Sequence, residues 1–213
     1  MHIELNQALP LPMRDESFSP ESLWKRSAIL ESGNDHLILA PSGTGKTSLL
    51  SFLFGMRNDY QGSILMDNKE VKTISIAEWA LIRRERISIV MQDMRLIPTL
   101  TVEDNLNLKN NLKKMYREND IRDMLSRLGL QEKWKQKAGT LSIGQQQRVS
   151  IVRSLLQPYE LLMLDEPFSH IDEENIRLAS ELIVEQTRKK GANILMVSLG
   201  LDYNMKFNQQ HRL

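Results

Sequence analysis

The chain has 213 residues, enough for one large domain or for one domain carrying a small insert. Lys and Arg number 28 against 27 Asp and Glu, so the net charge of +1 gives no broad cationic surface and no nucleic-acid partner is expected. Cysteine is absent, which excludes disulfides, thiolate catalysis and cysteine-ligated metals.

The first residues lack a basic start followed by an apolar stretch, so no secretory signal is expected. The apolar runs Leu37–Ala40, Leu161–Leu164 and Ile194–Val197 are short. None approaches the roughly 20 residues of a membrane helix. If the chain works at a membrane, another chain must supply the span.

In chain order, Pro10, Pro12 and Pro20 argue against regular structure in the first twenty or so residues. His36–Ala40 reads as a strand, followed by a glycine-rich turn and a helix over Thr47–Phe54 that Gly55 would cap. Arg86–Met91 reads as another strand. From about 93 to 140 the pattern becomes polar and helical. Ile121, Met124, Leu125 and Leu128 fall at the spacing of one buried helix face, and Gly129 ends it. The basic stretch Lys109–Arg117 suits a solvated helix face. A further helix should run from Ser142 to just before Pro158. Leu161–Leu164 then has the continuous apolar character of a strand buried on both faces. A helix over about Glu173–Lys190 stops at Gly191, and Ile194–Val197 is one more strand. Strands alternating with helices predict an α/β fold with a mainly parallel sheet.

Ala40-Pro41-Ser42-Gly43-Thr44-Gly45-Lys46-Thr47 lies between the first strand and its helix. Such a loop needs glycines because the backbone must turn tightly and aim successive N–H groups at phosphate oxygens. The helix that follows presents its positive end to the same anion. Lys46 would supply a full charge to the β- and γ-phosphates, and the Thr47 hydroxyl can ligate Mg2+. Pro41 to Ser48 are therefore the expected nucleotide-binding stretch. Ala40 stands where the usual pattern opens with Gly, at little cost if the position is extended.

Asp165 and Glu166 close the apolar run Leu161–Leu164, and Pro167 follows. The carboxyl ends of parallel strands line the ligand crevice. Asp165 would sit in the Mg2+ shell, holding the ion through water. Glu166 would be the catalytic residue that takes a proton from, or orients, the attacking water. An acid pair can also merely cap the helix that follows.

Leu141-Ser142-Ile143-Gly144-Gln145-Gln146-Gln147-Arg148 resembles the signature of ATP-binding cassette proteins. Gln92 is similar to that family's Q-loop residue, and Ser169-His170-Ile171-Asp172 to its D-loop. The resemblance runs from about Gly33 to Val197. It implies a P-loop ATPase core, about residues 1–92 and 158–213, with a helical subdomain inserted over about 93–157. It implies ATP and Mg2+ as cofactors, with Thr47, Gln92 and Asp165 as the metal's residues. It also implies a second copy as partner, so that Ser142, Gly144 and Gln145 contact in trans the nucleotide on the other copy. Ser142 and Gln145 have the spacing of a capping box and could equally cap their own helix. A separate membrane permease would be the other partner, which places the chain in the cytoplasm against the inner face of the membrane.

Some residues depart from the resemblance or leave it open. Leu199 stands where the family places a histidine that contacts the γ-phosphate, so slow or impaired hydrolysis is expected, because leucine cannot donate a hydrogen bond. His170 and His36 are not at that position. Phe18 and Trp24 are the candidate rings to stack on adenine, or plain core. Arg95–Asn105 resembles the corresponding segment of the lipoprotein-release and macrolide-export branch. Its Leu96 and Ile97, with Met94, suit either a groove for the permease or the junction between core and insert. A cassette with regulatory binding and little turnover, and a soluble non-transport cassette, remain alternatives.

Overall fold

Five short strands, each four to six residues in length and four of them mainly apolar, build the sheet that carries the site. The computed structural model describes residues 1–213. The chain runs β1 (Ile3–Asn6), β2 (Ser27–Leu30), β3 (His36–Leu39), α1 (Lys46–Leu53), β4 (Ser63–Met66), β5 (Lys69–Glu70), α2 (Ile76–Glu85), β6 (Ile87–Val90), α3 (Val102–Asn110), α4 (Glu118–Arg127), α5 (Ile143–Leu155), β7 (Leu161–Asp165), α6 (Glu173–Lys189), β8 (Asn193–Ser198) and β9 (Gln209–Arg212).

The central sheet has the order β6-β7-β8-β3-β9, and every pairing in it is parallel. Side chains alternate across a strand, so each strand supplies both faces. On β7, Leu162 and Leu164 enter one core while Leu161 and Met163 enter the other. On β8, Ile194 and Met196 oppose Leu195 and Val197 in the same way. The first core is filled by α3, α4, α5 and α6, among them Leu106, Leu125, Val152 and Leu182. The second is filled by α1, by Trp79 of α2 and by a second sheet. All five residues of β7 are buried, as a strand covered on both sides requires.

That second sheet was not anticipated. It is antiparallel, with the order β2-β1-β4-β5, and Ile3 and Leu5 of β1 point into the core. The expectation of irregular structure in the first twenty residues is therefore corrected over Ile3–Asn6. The prolines follow this strand: Pro10 makes an isolated bridge with Tyr60 and leads into a single 3-10 turn over Leu11–Met13. The last residues add β9 to the edge of the parallel sheet beside β3. There the buried imidazoles of His36 and His211 meet, Nδ1 to Nε2, at 3.2 Å.

The parallel arrangement fixes where chemistry can gather. The loop 40–45 leaves the carboxyl end of β3, Asp165 ends β7 opposite Val197, and Gln92 lies two residues beyond β6. These three strand ends open on one side of the sheet.

Candidate functional site

Two positions in the loop 40–45 have a backbone that only glycine adopts without strain. Gly43 has φ +82° and Gly45 φ +91°. Gly45 precedes the first turn of α1 and offers no side chain to cap it, so the amides at that end stay open to an anion. A Cβ on Gly45 would lie 3.0 Å from both Met13 Sδ and Trp24 Cζ2. Trp24 is only 1% exposed, and its indole N–H donates to the Thr44 carbonyl at 2.8 Å. Of the two readings left open for Trp24, adenine partner or plain core, its burial favours core. Trp24 lies beneath the loop as a support, where no base can reach its faces. Phe18 stays partly buried at the edge of the same core.

Lys46 is buried, and its ammonium is fully engaged inside the chain. It donates to the carbonyls of Ala40 at 3.2 Å and Pro41 at 2.9 Å, and it pairs with Glu166 Oε1 at 3.1 Å. Glu166 follows β7 with φ +46°, a strained value for a residue with a Cβ, which turns its side chain toward the loop. The Thr47 hydroxyl donates to Asp165 Oδ2 at 2.9 Å. The Ser48 hydroxyl accepts from Arg57 at 3.0 Å.

Beside Thr47 and Asp165 lies a cavity of about 260 Å3 whose rim includes Gln92 and Asp93. Asp165 is 2% exposed, and its Oδ1 is buried with no hydrogen-bond partner. Burial raises the pKa of this carboxyl, and Glu166 adds to the shift while the Thr47 bond opposes it. A buried carboxylate oxygen without a donor is costly unless a cation or its water shell supplies the partner. Thr47, Gln92 and Asp165 offer oxygen ligands of the kind that Mg2+ takes. The residues present therefore fit the ion.

Ser142 is the N-cap of α5, and the capping box predicted from Ser142 and Gln145 is formed in both directions. At Gly144 the chain itself approaches closely: a Cβ there would meet the His170 carbonyl at 2.6 Å. None of Ser142, Gly144 and Gln145 lines the cavity beside Thr47. Sequence reasoning missed Gln147, which is fully buried. Its amide donates to the Glu166 carbonyl and to Ser169 Oγ, both at 3.2 Å, and accepts from the His170 N–H at 2.9 Å. This one side chain joins α5 to the turn behind Glu166. Its position inside the run of three glutamines, on the inward side of the helix, was the available signal.

Leu199 is 59% exposed at the end of β8, and it offers no polar group. His170 bonds Ser169 Oγ through Nδ1, while His36 is buried against His211. Leu96 packs onto the first core and Ile97 is 42% exposed, so this pair divides between junction and surface.

A family profile described as ABC transporter matches residues 25–169. An uncharacterized ABC transporter ATP-binding protein of Mycobacterium tuberculosis (strain CDC 1551 / Oshkosh) is 38% identical over 153 residues, 68% of this chain. The match spans only 46% of that relative, less than half of its length. The ABC transporter ATP-binding protein YtrE of Bacillus subtilis (strain 168) is 32% identical over 164 residues, covering 76% of this chain and 71% of YtrE. The aliphatic sulfonates import ATP-binding protein SsuB of Bacillus licheniformis is 30% identical over 186 residues, covering 87% and 69%. A dimeric bacterial ABC transporter cassette superposes with a TM-score of 0.80 at 23% identity, covering 99% of this chain and 94% of that one. The same cassette in a post-hydrolysis state, bound to ADP and Pi, gives 0.77 at 24% identity, covering 94% and 89%. These two likenesses concern the fold. The profile spans well over half of the chain, and on that ground this protein belongs to the ABC transporter ATP-binding family.

Proposed function

We propose that the chain is the ATP-binding subunit of a transporter: it binds and hydrolyses Mg-ATP, closes head to tail with a second copy, and drives a separate membrane permease. One observation carries the reading most directly. Asp165 presents a buried, unpartnered oxygen beside the Thr47 hydroxyl, at the foot of a glycine loop that ends in Lys46.

The loop amides and the open end of α1 would take the phosphates, with Lys46 between them. Mg2+ held by Thr47, Gln92 and Asp165 would neutralise charge on the phosphate oxygens. Lys46 now pairs with Glu166. Phosphate would compete for that ammonium and release the carboxylate to orient water. The Gln147 bond to the Glu166 carbonyl keeps the backbone in place while the side chain turns. Ser142 is exposed, and Gly144 and Gln145 half-buried, at a helix tip that does not line their own cavity, which suits contact with the nucleotide of a second copy. The helical segment over about 93–157 presents Ile97, Leu108 and Leu112, all exposed, as apolar surface for the permease. No helix of the chain is long and apolar enough to cross a membrane. In this reading the permease would supply the span, and this subunit would sit at its cytoplasmic face.

Calorimetric titration tests the site. Wild type should bind ATP more tightly with Mg2+ than in EDTA, Asp165→Asn should lose that difference, and Lys46→Ala should lose most of the affinity in both buffers. Equal binding by all three proteins would reject the site. The exposed Leu199 favours a second reading, a regulatory cassette with negligible turnover. Equal background ATPase rates in wild type and Glu166→Gln, with the permease supplied, would select it.

A further inference from the structure

Arg153, in the last turn of α5, reaches across to the loop that follows Gln92. Its two terminal nitrogens donate to the Arg95 and Met94 carbonyls, each at 2.6 Å. Neither carbonyl takes another hydrogen bond. Met94 and Arg95 have φ +58° and +51°, two consecutive side-chain-bearing residues in the left-handed region. Such a pair persists only where the surroundings hold it. The loop it shapes forms a wall of the cavity, through Met91, Gln92, Asp93 and Arg95, opposite Thr47 and Asp165. Burial lowers Arg153 to about 10, so the guanidinium stays charged at neutral pH and both bonds are charge-assisted.

The rest of the α5 end is fixed as firmly. Ser88 of β6 donates to the Ser154 carbonyl at 2.7 Å. The buried Gln157 amide donates to the carbonyls of Arg83 and Ile87, and its oxygen accepts from Lys109. At its opposite end, about 20 Å away for a helix of 13 residues, α5 carries the Ser142 tip. One rigid helix thus holds the Gln92 loop at one end and the signature tip at the other.

We propose that Arg153 is a positioning residue, one that sets Gln92 over the cavity beside Thr47 and Asp165 and ties that setting to the helix whose tip meets the second copy. The inference rests on the reading of this cavity as the Mg-ATP site. Arg153 touches neither nucleotide nor metal; it acts through the Met94 and Arg95 carbonyls.

The test uses the full chain as wild type, Arg153→Met, Arg153→Lys, Gln92→Ala and the Arg153→Met/Gln92→Ala double variant. Two quantities are read: amide hydrogen exchange at Met94, Arg95 and Ile97, and the ratio of ATP affinities with Mg2+ and with EDTA. Arg153→Met should speed exchange at these amides and reduce the Mg2+ ratio, each by about tenfold. Arg153→Lys, which can reach one carbonyl at a time, should fall between, and it serves alone if the Met variant does not fold. Adding Arg153→Met to Gln92→Ala should cost no further Mg2+ dependence. A lowered melting temperature with the Mg2+ ratio preserved would assign Arg153 to stability alone and overturn the inference. So would unchanged exchange at the loop. A wild type without any Mg2+ dependence would overturn the cavity reading itself, a result separate from the behaviour of the loop.

Discussion

Replacing Trp24 by Phe separates two roles for this ring. The substitution keeps an aromatic ring, though a smaller one, and deletes the N–H that donates to the Thr44 carbonyl at 2.8 Å. The lost hydrogen bond costs about 1 kcal/mol net, and the carbonyl left without its donor adds roughly 1 kcal/mol more. Trp24 is only 1% exposed, so the smaller ring also leaves a gap beside Gly45 and Met13, worth about 1 kcal/mol. The sum is on the order of 3 kcal/mol, or a fall in melting temperature of roughly 6–12 °C for a chain of this size. Urea and thermal unfolding, followed by far-ultraviolet circular dichroism, measure it. ATP affinity should fall only as far as the loop loosens, by about tenfold or less. Unchanged stability with a large loss of ATP affinity would mean that Trp24 meets the base, and the argument from burial would fail.

Asp165→Asn should raise the stability of the nucleotide-free protein by about 1 kcal/mol, because it removes a buried charge whose Oδ1 has no partner, while Mg2+ ceases to stabilise the ATP complex; thermal melts with and without Mg-ATP would show both effects. Gly144→Ala should cost about 1–3 kcal/mol, since its Cβ would meet backbone, the His170 carbonyl, at 2.6 Å, and a denaturation midpoint equal to wild type would contradict this. Burial and the neighbouring His36 lower His211 to about 4, below its free value of 6.5. The unfolded chain therefore binds the extra proton first. The stability held by the neutral ring is complete above the free value and is lost as pH falls from there to about 4, on the order of 3 kcal/mol. The urea midpoint should drop over that range, and the drop should shrink in His211→Gln.

The parts of the site that obey local rules were legible. The glycine loop, the Asp165–Glu166 pair and the Ser142–Gln145 capping box all depend on residues close in sequence, and each lies on the expected element. The antiparallel sheet was not legible, because β1 has only two apolar residues among four and is followed closely by Pro10, and β5 has two residues in all, so neither shows a period. Trp24 was ambiguous because an aromatic upstream of a phosphate loop can face either the ligand or the loop's underside, and only tertiary packing decides. Gln147 and Arg153 act over distance, one on the turn behind Glu166 and the other on the Gln92 loop. Their roles follow from the rotation of a single helix relative to its neighbours, which periodicity locates but does not pair.

The claim that two copies share each nucleotide is tested by mixing two disabled proteins. In a Glu166→Gln background, one protein carries Lys46→Ala and the other Ser142→Arg, and association with Mg-ATP is followed by sedimentation velocity. Each should remain monomeric alone. Their mixture should form heterodimers, because one composite site then joins an intact Lys46 to an intact Ser142. A mixture that stays monomeric while the Glu166→Gln parent dimerises, or variants that each dimerise alone, would contradict the head-to-tail account.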